Sequence, residues 1–598
     1  MSFNMEEYIY NIASSKKKQR KVGFIVLGLL LFSLAMIPTQ IVLAKMLPGK
    51  SANTFSIYVD TATNSTVEQT KEVVECVSSV MRKEEAVKNM EMFIGQGAPL
   101  DYAGLVKGSA FKSLKNQAEI VINLTDKHTR DEPSYLMVHR IRPIIQKKCE
   151  SLYKGSTVKF VEMPSGPPTY ATIVVNLYGK DSLLLRDTSK IVSESLSETE
   201  GLVDIDILQD DVYEKFEIIP NVEKIISSSL SVEQVSNILY MAFKGNVVAS
   251  KNSTLQQDQI PIFVSLDKET RTLAHATKAE LELKLSRLKL LNKFGAMVPV
   301  REVIEIVETV ADPTIFKKNM RNMVSVTAEC DIVSQVYPLM DARELMITKL
   351  ERDFEIERLT GASTYMFDLA LVHKETGKKV LVRWDGEMKV SLDTFRDLGG
   401  AFISALVLMF LLMVVYYKSF ILSGIVLIGS FLSIIGVIIG HYIADIIFLY
   451  FITGVHFYLT ATSLIGFISL MGISARSSLL LIDFTKSLIE SGIEKNRAIA
   501  IATATRAKPI LLTAVAIILG SLLLATDPIF GGLGIALIFG SMASTAVSLF
   551  YIPVLMAKAD AICPANGGMV CEEGEGKNEA DLDVSDVAPE VHHGNPVK

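Results

Sequence analysis

The stretch GISARSSLLLIDF, residues 472–484, lies inside a long apolar run yet carries Arg476 and Asp483. A charge at the centre of a bilayer costs about 3 kcal/mol, so charges kept there mark function by default. The surrounding run, 460–484, meets the requirement of about 20 apolar residues for a transmembrane helix. Windows 22–44, 398–417, 419–440, 509–526 and 529–556 meet it as well. The expected fold class is therefore a helical membrane domain of six transmembrane helices with a large α+β region outside it. The first window is too long for a signal peptide, ends in IVLAKMLPGK and has no small-residue cleavage site, so it reads as a retained span.

Basic residues set the orientation. SSKKKQRK (14–21) precedes the first window, and Lys486, Lys495, Arg497, Arg506 and Lys508 fill the loop 485–508. The positive-inside rule makes 1–21 cytoplasmic, places both segments on that side and leaves 46–397 outside. The net charge of −6 averages these compartments and says little about partners. The tail 558–598, acidic and free of aromatics from Cys571 onward, has the composition of a disordered segment.

The remaining composition narrows the function classes. The eight histidines are scattered, with no zinc-like or triad-like spacing. No GxxxxGK[ST] loop is present, which argues against ATP hydrolysis. Neither a cofactor nor a nucleic-acid partner is expected, and the chain does not read as an enzyme. Methionines such as Met90, Met92 and Met163 fit core filling better than a soft-metal path. Cys76, Cys149 and Cys330 are an odd number in the external region and nothing in their spacing pairs them; Cys563 and Cys571 lack a second pair.

The external region reads as repeated α+β units. TFSIYVD (54–60), a helix over 66–85, VKNMEMFI (87–94), AEIVINL (118–124), a helix within 134–152 and TVKFVEM (157–163) follow the β-α-β-β-α-β order of a ferredoxin-like unit. After the turn SGPP (165–168) a second round begins with TIVVNLYG (172–179), a helix 182–198 and VDIDIL (203–208). It is interrupted over 211–310, then resumes with MVSVTAE (323–329), a helix near 336–353 and strands ending at VLVRW (380–384). Two copies of one unit argue for a cleft between them.

WDGEMKVSLDTFRDLGGAF (384–402), GHYIADI (440–446), TATSLIGFISLMGISARSSLLLIDF (460–484), RAKPILLTAVAIILG (506–520) and DPIFGGLGIALIFGSMASTAVSLFYIPVL (527–555) occur in that order. Together they closely resemble the second half of resistance-nodulation-division (RND) exporters of the hydrophobe/amphiphile, acriflavine-resistance-type branch. The resemblance runs from the first span to about residue 557. It implies porter subdomains at 46–165 and at 166–210 with 311–397, a docking-like subdomain at 211–310, and five further spans within 398–557.

The resemblance also implies a proton relay. It falls on Arg476 in the fourth span, and on Arg506 and Thr513 in the fifth; Asp483 is the nearby intramembrane carboxylate. Many relatives carry lysine at the first position, whereas a guanidinium stays protonated and cannot itself carry a proton. The family's proton-carrying aspartates lie in the first half of its exporters, so the implied partner is a separately encoded N-terminal half. A periplasmic adaptor, an outer-membrane channel and a trimer of such heterodimers follow from the same resemblance. The implied activity is proton-driven export of hydrophobic or amphiphilic compounds across a bacterial inner membrane. The alternatives are a heavy-metal or other RND-type half, an export accessory, and a membrane-anchored binding protein. For Arg476 two readings stand open: an internal pair with Asp483, two turns away on one face, or a charge facing carboxylates of the partner.

Overall fold

Among the described residues five helices are long and apolar enough to cross a membrane: Glu387–Tyr417, Phe420–Ile452, Ala461–Glu490, Lys495–Thr526 and Gly531–Lys558. The computed structural model describes residues 5–163, 166, 169–210, 212–273, 277–358 and 367–562. The acidic tail from 563 on, with Cys563 and Cys571, and the SGPP turn apart from Gly166 lie outside the described residues.

The helix of the first window departs from its expected bounds. That helix, Lys16–Ala35, ends well short of residue 44. Pro38 is the reason: it lacks an N–H and disfavours helical geometry at Ile37 before it. The chain then runs irregularly, with Met36 and Val42 buried against Val437, Leu459 and Leu470. It pairs with the loop before Ala461, where Leu459 N donates to Leu43 O at 2.8 Å. Other helices outrun their windows. The Lys495–Leu522 helix begins in the polar sequence KNRAIAIATATR, whose alanines favour helix. It buries Ala498, Ile499 and Ala502 together with Ile9 of a short N-terminal helix, Met5–Ala13, and Arg497 pairs with Glu6 at 2.9 Å.

Small residues let these helices approach closely, as membrane packing requires. A Cβ on Gly440 would lie 2.4 Å from the Cβ of Phe539, and one on Gly436 would lie 2.3 Å from the Phe539 carbonyl. At its N-terminus the Ala461–Glu490 helix is capped by Thr460, whose hydroxyl accepts from Ser463 N.

The first α+β unit has four antiparallel strands, in the order Val87–Ile94, Gln117–Leu124, Thr54–Asp60, Thr157–Val161. Helices Val67–Met81 and Ser134–Cys149 bury Val73, Val77, Met137 and Ile141 against Ile57 and Ile120. The first helix starts at a capping box of Thr66 and Gln69. Cys76 and Cys149, which spacing alone did not pair, are joined by a disulfide across 73 residues, their Cα atoms 5.7 Å apart. Each helix places its cysteine on the side facing the other helix, a proximity that sequence distance cannot show. Cys330 is free.

The second unit repeats the same central order with Leu202–Leu208, Arg321–Cys330, Ile173–Gly179 and Lys379–Asp385. One detail differs. The strand that follows its second helix, Phe354–Arg358, does not take the place beside Ile173–Gly179. That place goes to Lys379–Asp385, after a turn back through Leu369–His373. Residues Gln209–Ile315 form a compact unit of their own. Their core is Ile225, Val235, Leu281, Leu285, Val300 and Val303, flanked by the antiparallel pair Glu214–Pro220 and Ile304–Val310.

Candidate functional site

Arg476 sits near the middle of the Ala461–Glu490 helix, on an exposed face. Neighbours on the same turn, Ser474, Ala475 and Ser478, are buried against other helices, so the helix turns its small residues inward and its charge outward. Among the described residues no ion pair or hydrogen bond reaches the guanidinium. The internal pair with Asp483 does not form. Asp483 instead accepts from the Tyr416 hydroxyl at 3.2 Å, and Lys486 lies over the Tyr417 ring at 5.9 Å.

The other two expected relay residues stand on the next helix. The Arg506 guanidinium stacks 4.7 Å from the centre of Phe484, and its Nε is buried without a hydrogen-bond partner. Pro509 lacks the N–H that would meet the Thr505 carbonyl one turn back. Thr513 is exposed and returns its hydroxyl to Ile510 O at 2.9 Å. Arg506 thus stands beside the helix bearing Asp483, while Arg476 and Thr513 look outward and touch neither each other nor Asp483.

Two features escaped the sequence reading. The first is a buried polar chain at the helix ends next to the α+β units. His441 Nδ1 contacts Val437 O at 2.7 Å, and its Nε2 contacts Ser463 Oγ at 2.8 Å. A carbonyl only accepts, so in the neutral ring Nδ1 holds the proton and Nε2 accepts from Ser463. Ser463 meets Thr460, Thr460 meets Thr462, and Thr462 donates to Ile529 O. GHYIADI gave the position of His441 but no sign of a partner 22 residues away.

The second is a cavity of about 420 Å³ where the two α+β units meet the near ends of the helices. Its wall includes Phe160 and Glu162 from the first unit, Glu329 from the second, and Phe457 and Tyr458 before the Arg476 helix. Lys107 pairs with Glu329 at 2.6 Å, and Lys45 lies over the Tyr458 ring at 5.4 Å. Among the described residues no hydrogen bond reaches the Glu162 carboxylate. Burial, reinforced by Glu329 and opposed by Arg142 and Lys45, raises its pKa from 4.5 to about 7. The protonated form is favoured in the fold, so its stabilising contribution is complete below 4.5 and is lost as pH rises through about 7. Glu162→Gln should therefore flatten the fall in thermal stability between about pH 5 and pH 8, an effect on the order of 1–2 kcal/mol after solvent screening. A variant whose Tm falls as steeply as the parent's would contradict this assignment.

Beside the cavity, the seam between the two units separates charge by side. The first unit supplies nitrogen groups and the second supplies carboxylates. Arg142 donates to Asp204 at 3.3 Å and to Asp331 at 2.7 Å. His139 meets Asp331 at 2.6 Å, and Lys159 meets Asp206 at 2.5 Å. Arg142 also stacks over Phe160 at 5.3 Å.

Five helices of membrane-spanning length, one of them bearing an arginine that no ion pair reaches among the described residues, make this a multi-pass membrane protein. The chain belongs to the AcrB/AcrD/AcrF family of RND transporters, whose sequence model matches residues 1–560. It is 22% identical over 558 residues to the swarming motility protein SwrC of Bacillus subtilis, covering 92% of this chain and 47% of that protein. A shorter stretch of 102 residues is 32% identical to the cobalt-zinc-cadmium resistance protein CzcA of Cupriavidus metallidurans, covering 16% of this chain and 10% of that protein. The fold is shared with a heavy metal efflux pump solved by X-ray crystallography, at a TM-score of 0.69 and 16% identity, over 92% of this chain and 51% of that one. The chain spans about half the length of SwrC and of the solved pump.

Proposed function

We propose that this chain works as the C-terminal-type half of a proton-driven RND exporter, joined to a complementary half that brings the titrating carboxylates. The observation that carries the reading is Arg476, exposed on a membrane-length helix with no anion of its own among the described residues. Asp483, the carboxylate nearest to it on that helix, is engaged by Tyr416. A cation so placed is balanced most simply by carboxylates on a facing helix of the other half.

On this reading Lys16–Ala35 is the first of six spans and the two α+β units are porter subdomains of ferredoxin-like type, with Gln209–Ile315 as the docking-like insert. They lie on the periplasmic side of an inner membrane. Three such pairs would work with a periplasmic adaptor and an outer-membrane channel. Phe160, Phe457 and Tyr458 around the cavity favour hydrophobic or amphiphilic cargo. Heavy-metal cargo is the second reading, favoured by the local likeness to CzcA.

The test is reconstitution. Vesicles holding this chain alone should show no proton-coupled export, and vesicles holding it with a second six-helix chain should export an amphiphilic dye under a proton gradient. Transport by the single chain, free of other protein, would sink the two-half reading. Export of zinc or cobalt but of no dye would replace the cargo assignment.

A further inference from the structure

Lys16, Lys17, Lys18, Arg20 and Lys21 open the Lys16–Ala35 helix and are all exposed. Among the described residues none of them has an ion pair. The positive end of the helix dipole adds to their charge, and no acidic residue occupies the first turn.

Their placement around the helix is the informative point. At about 100° per residue, Gln19, Val26, Leu30 and Ser33 share one side. That side meets protein: Gln19 and Ser33 are buried, and Val26 and Leu30 pack against the core of the helices. Lys17, Lys18, Arg20 and Lys21 fall on the opposite side, in the same sector as Phe24, Ile25, Leu31 and Phe32, while Lys16 lies at its edge. Phe24 is 73% exposed, Leu31 59% and Phe32 58%. Lys17, Lys18, Arg20, Lys21, Phe24 and Ile25 line one shallow pocket. The cationic end is not a loose tail, because Gln19 Nε2 donates to Ala13 O at 2.5 Å and the Met5–Ala13 helix before it is packed through Ile9 and Ile12.

We propose that this outward face binds anionic phospholipid of the cytoplasmic leaflet. Lys17, Lys18, Arg20 and Lys21 hold the phosphate of the headgroup, and the acyl chains lie along Phe24, Ile25 and Phe32. The occupant follows from the order of chemistry down the helix, with fixed positive charge for the first turn and a half and then an apolar stripe on the same side. An anionic lipid presents the same sequence of charge and hydrocarbon. The proposal rests on the reading of this helix as a membrane span.

The test uses Phe24→Trp in the full chain, reconstituted in an equimolar mixture of phosphatidylcholine and phosphatidylglycerol. One or the other lipid is brominated, and the added fluorescence quenching is read against the parent chain. Brominated phosphatidylglycerol should quench the new tryptophan in preference, reporting at least about fivefold local enrichment. Replacing Lys17, Lys18, Arg20 and Lys21 with glutamine should equalise the two lipids. Equal quenching by both lipids with the basic residues intact would overturn the lipid site and leave the span standing. Quenching by neither would overturn the span, and the lipid site with it.

Discussion

Arg476→Ala is expected to abolish transport while leaving the protein folded and able to assemble. Little in this chain depends on the side chain for stability, since it is exposed and makes no ion pair or hydrogen bond among the described residues. Its effect would fall on the facing carboxylates of the complementary half. A nearby guanidinium holds such groups ionised, and their protonation from outside weakens the pairing and frees the helices to shift. A proton crossing the full potential supplies about 2.3 kcal/mol per 100 mV, enough to bias a two-state element. Arg476→Lys should keep part of the activity, because the charge survives and the forked geometry does not. Asp483→Asn should be milder than Arg476→Ala, because Asp483 is engaged by Tyr416. Dye export by vesicles of matched protein content measures all three. Full activity in Arg476→Ala would end the relay assignment.

The second large effect belongs to the seam. Arg142→Ala should destabilise the paired α+β units by about 3 kcal/mol, toward the lower end of what loss of one member of a buried pair costs. The side chains of Arg142 and Asp204 are 5% and 1% exposed, so little water can replace the lost partner. Burial already pushes the Asp204 carboxyl above its usual range, with Arg142 opposing the shift. Without Arg142 the acid can take up a proton, which keeps the cost below that of a bare buried charge. Arg142→Lys should recover only part of the loss, since one ammonium cannot reproduce the fork to Asp204 and Asp331 together with the stacking on Phe160. Urea unfolding followed by circular dichroism measures the difference, and a change below about 1 kcal/mol would mean that the seam is solvated and loose.

The legibility of this fold varied with the kind of signal. Arg476 stood out because a charge in an apolar run is visible in a few residues of sequence. The helices were found by hydropathy, yet their ends were not, because the Lys495–Leu522 helix extends through polar residues that hydropathy does not score. Alternation located the strands of both α+β units. It could not show that Lys379–Asp385, and not Phe354–Arg358, lies beside Ile173–Gly179, since alternation marks a strand and says nothing of its neighbour. The Cys76–Cys149 pair, the His441–Ser463 contact and the cavity share one cause of invisibility. Each assembles residues from distant segments, and only the packed chain brings them together.

The disulfide between Cys76 and Cys149 has a mechanical consequence. It ties the two helices behind the first sheet to each other, and closing a loop of that length stabilises the unit by about 4 kcal/mol in the chain-entropy account. No such tie is found in the second unit among the described residues, and its chain is interrupted between Leu208 and Phe316 by a separately folded insert. The two halves of the repeat are therefore unequal in stiffness. A load applied across the seam would leave the first unit moving as a block and would be taken up as strain in the second. Shape change during a working cycle should accordingly concentrate there, in Leu202–Leu208 and Arg321–Cys330, the strands that flank the insert.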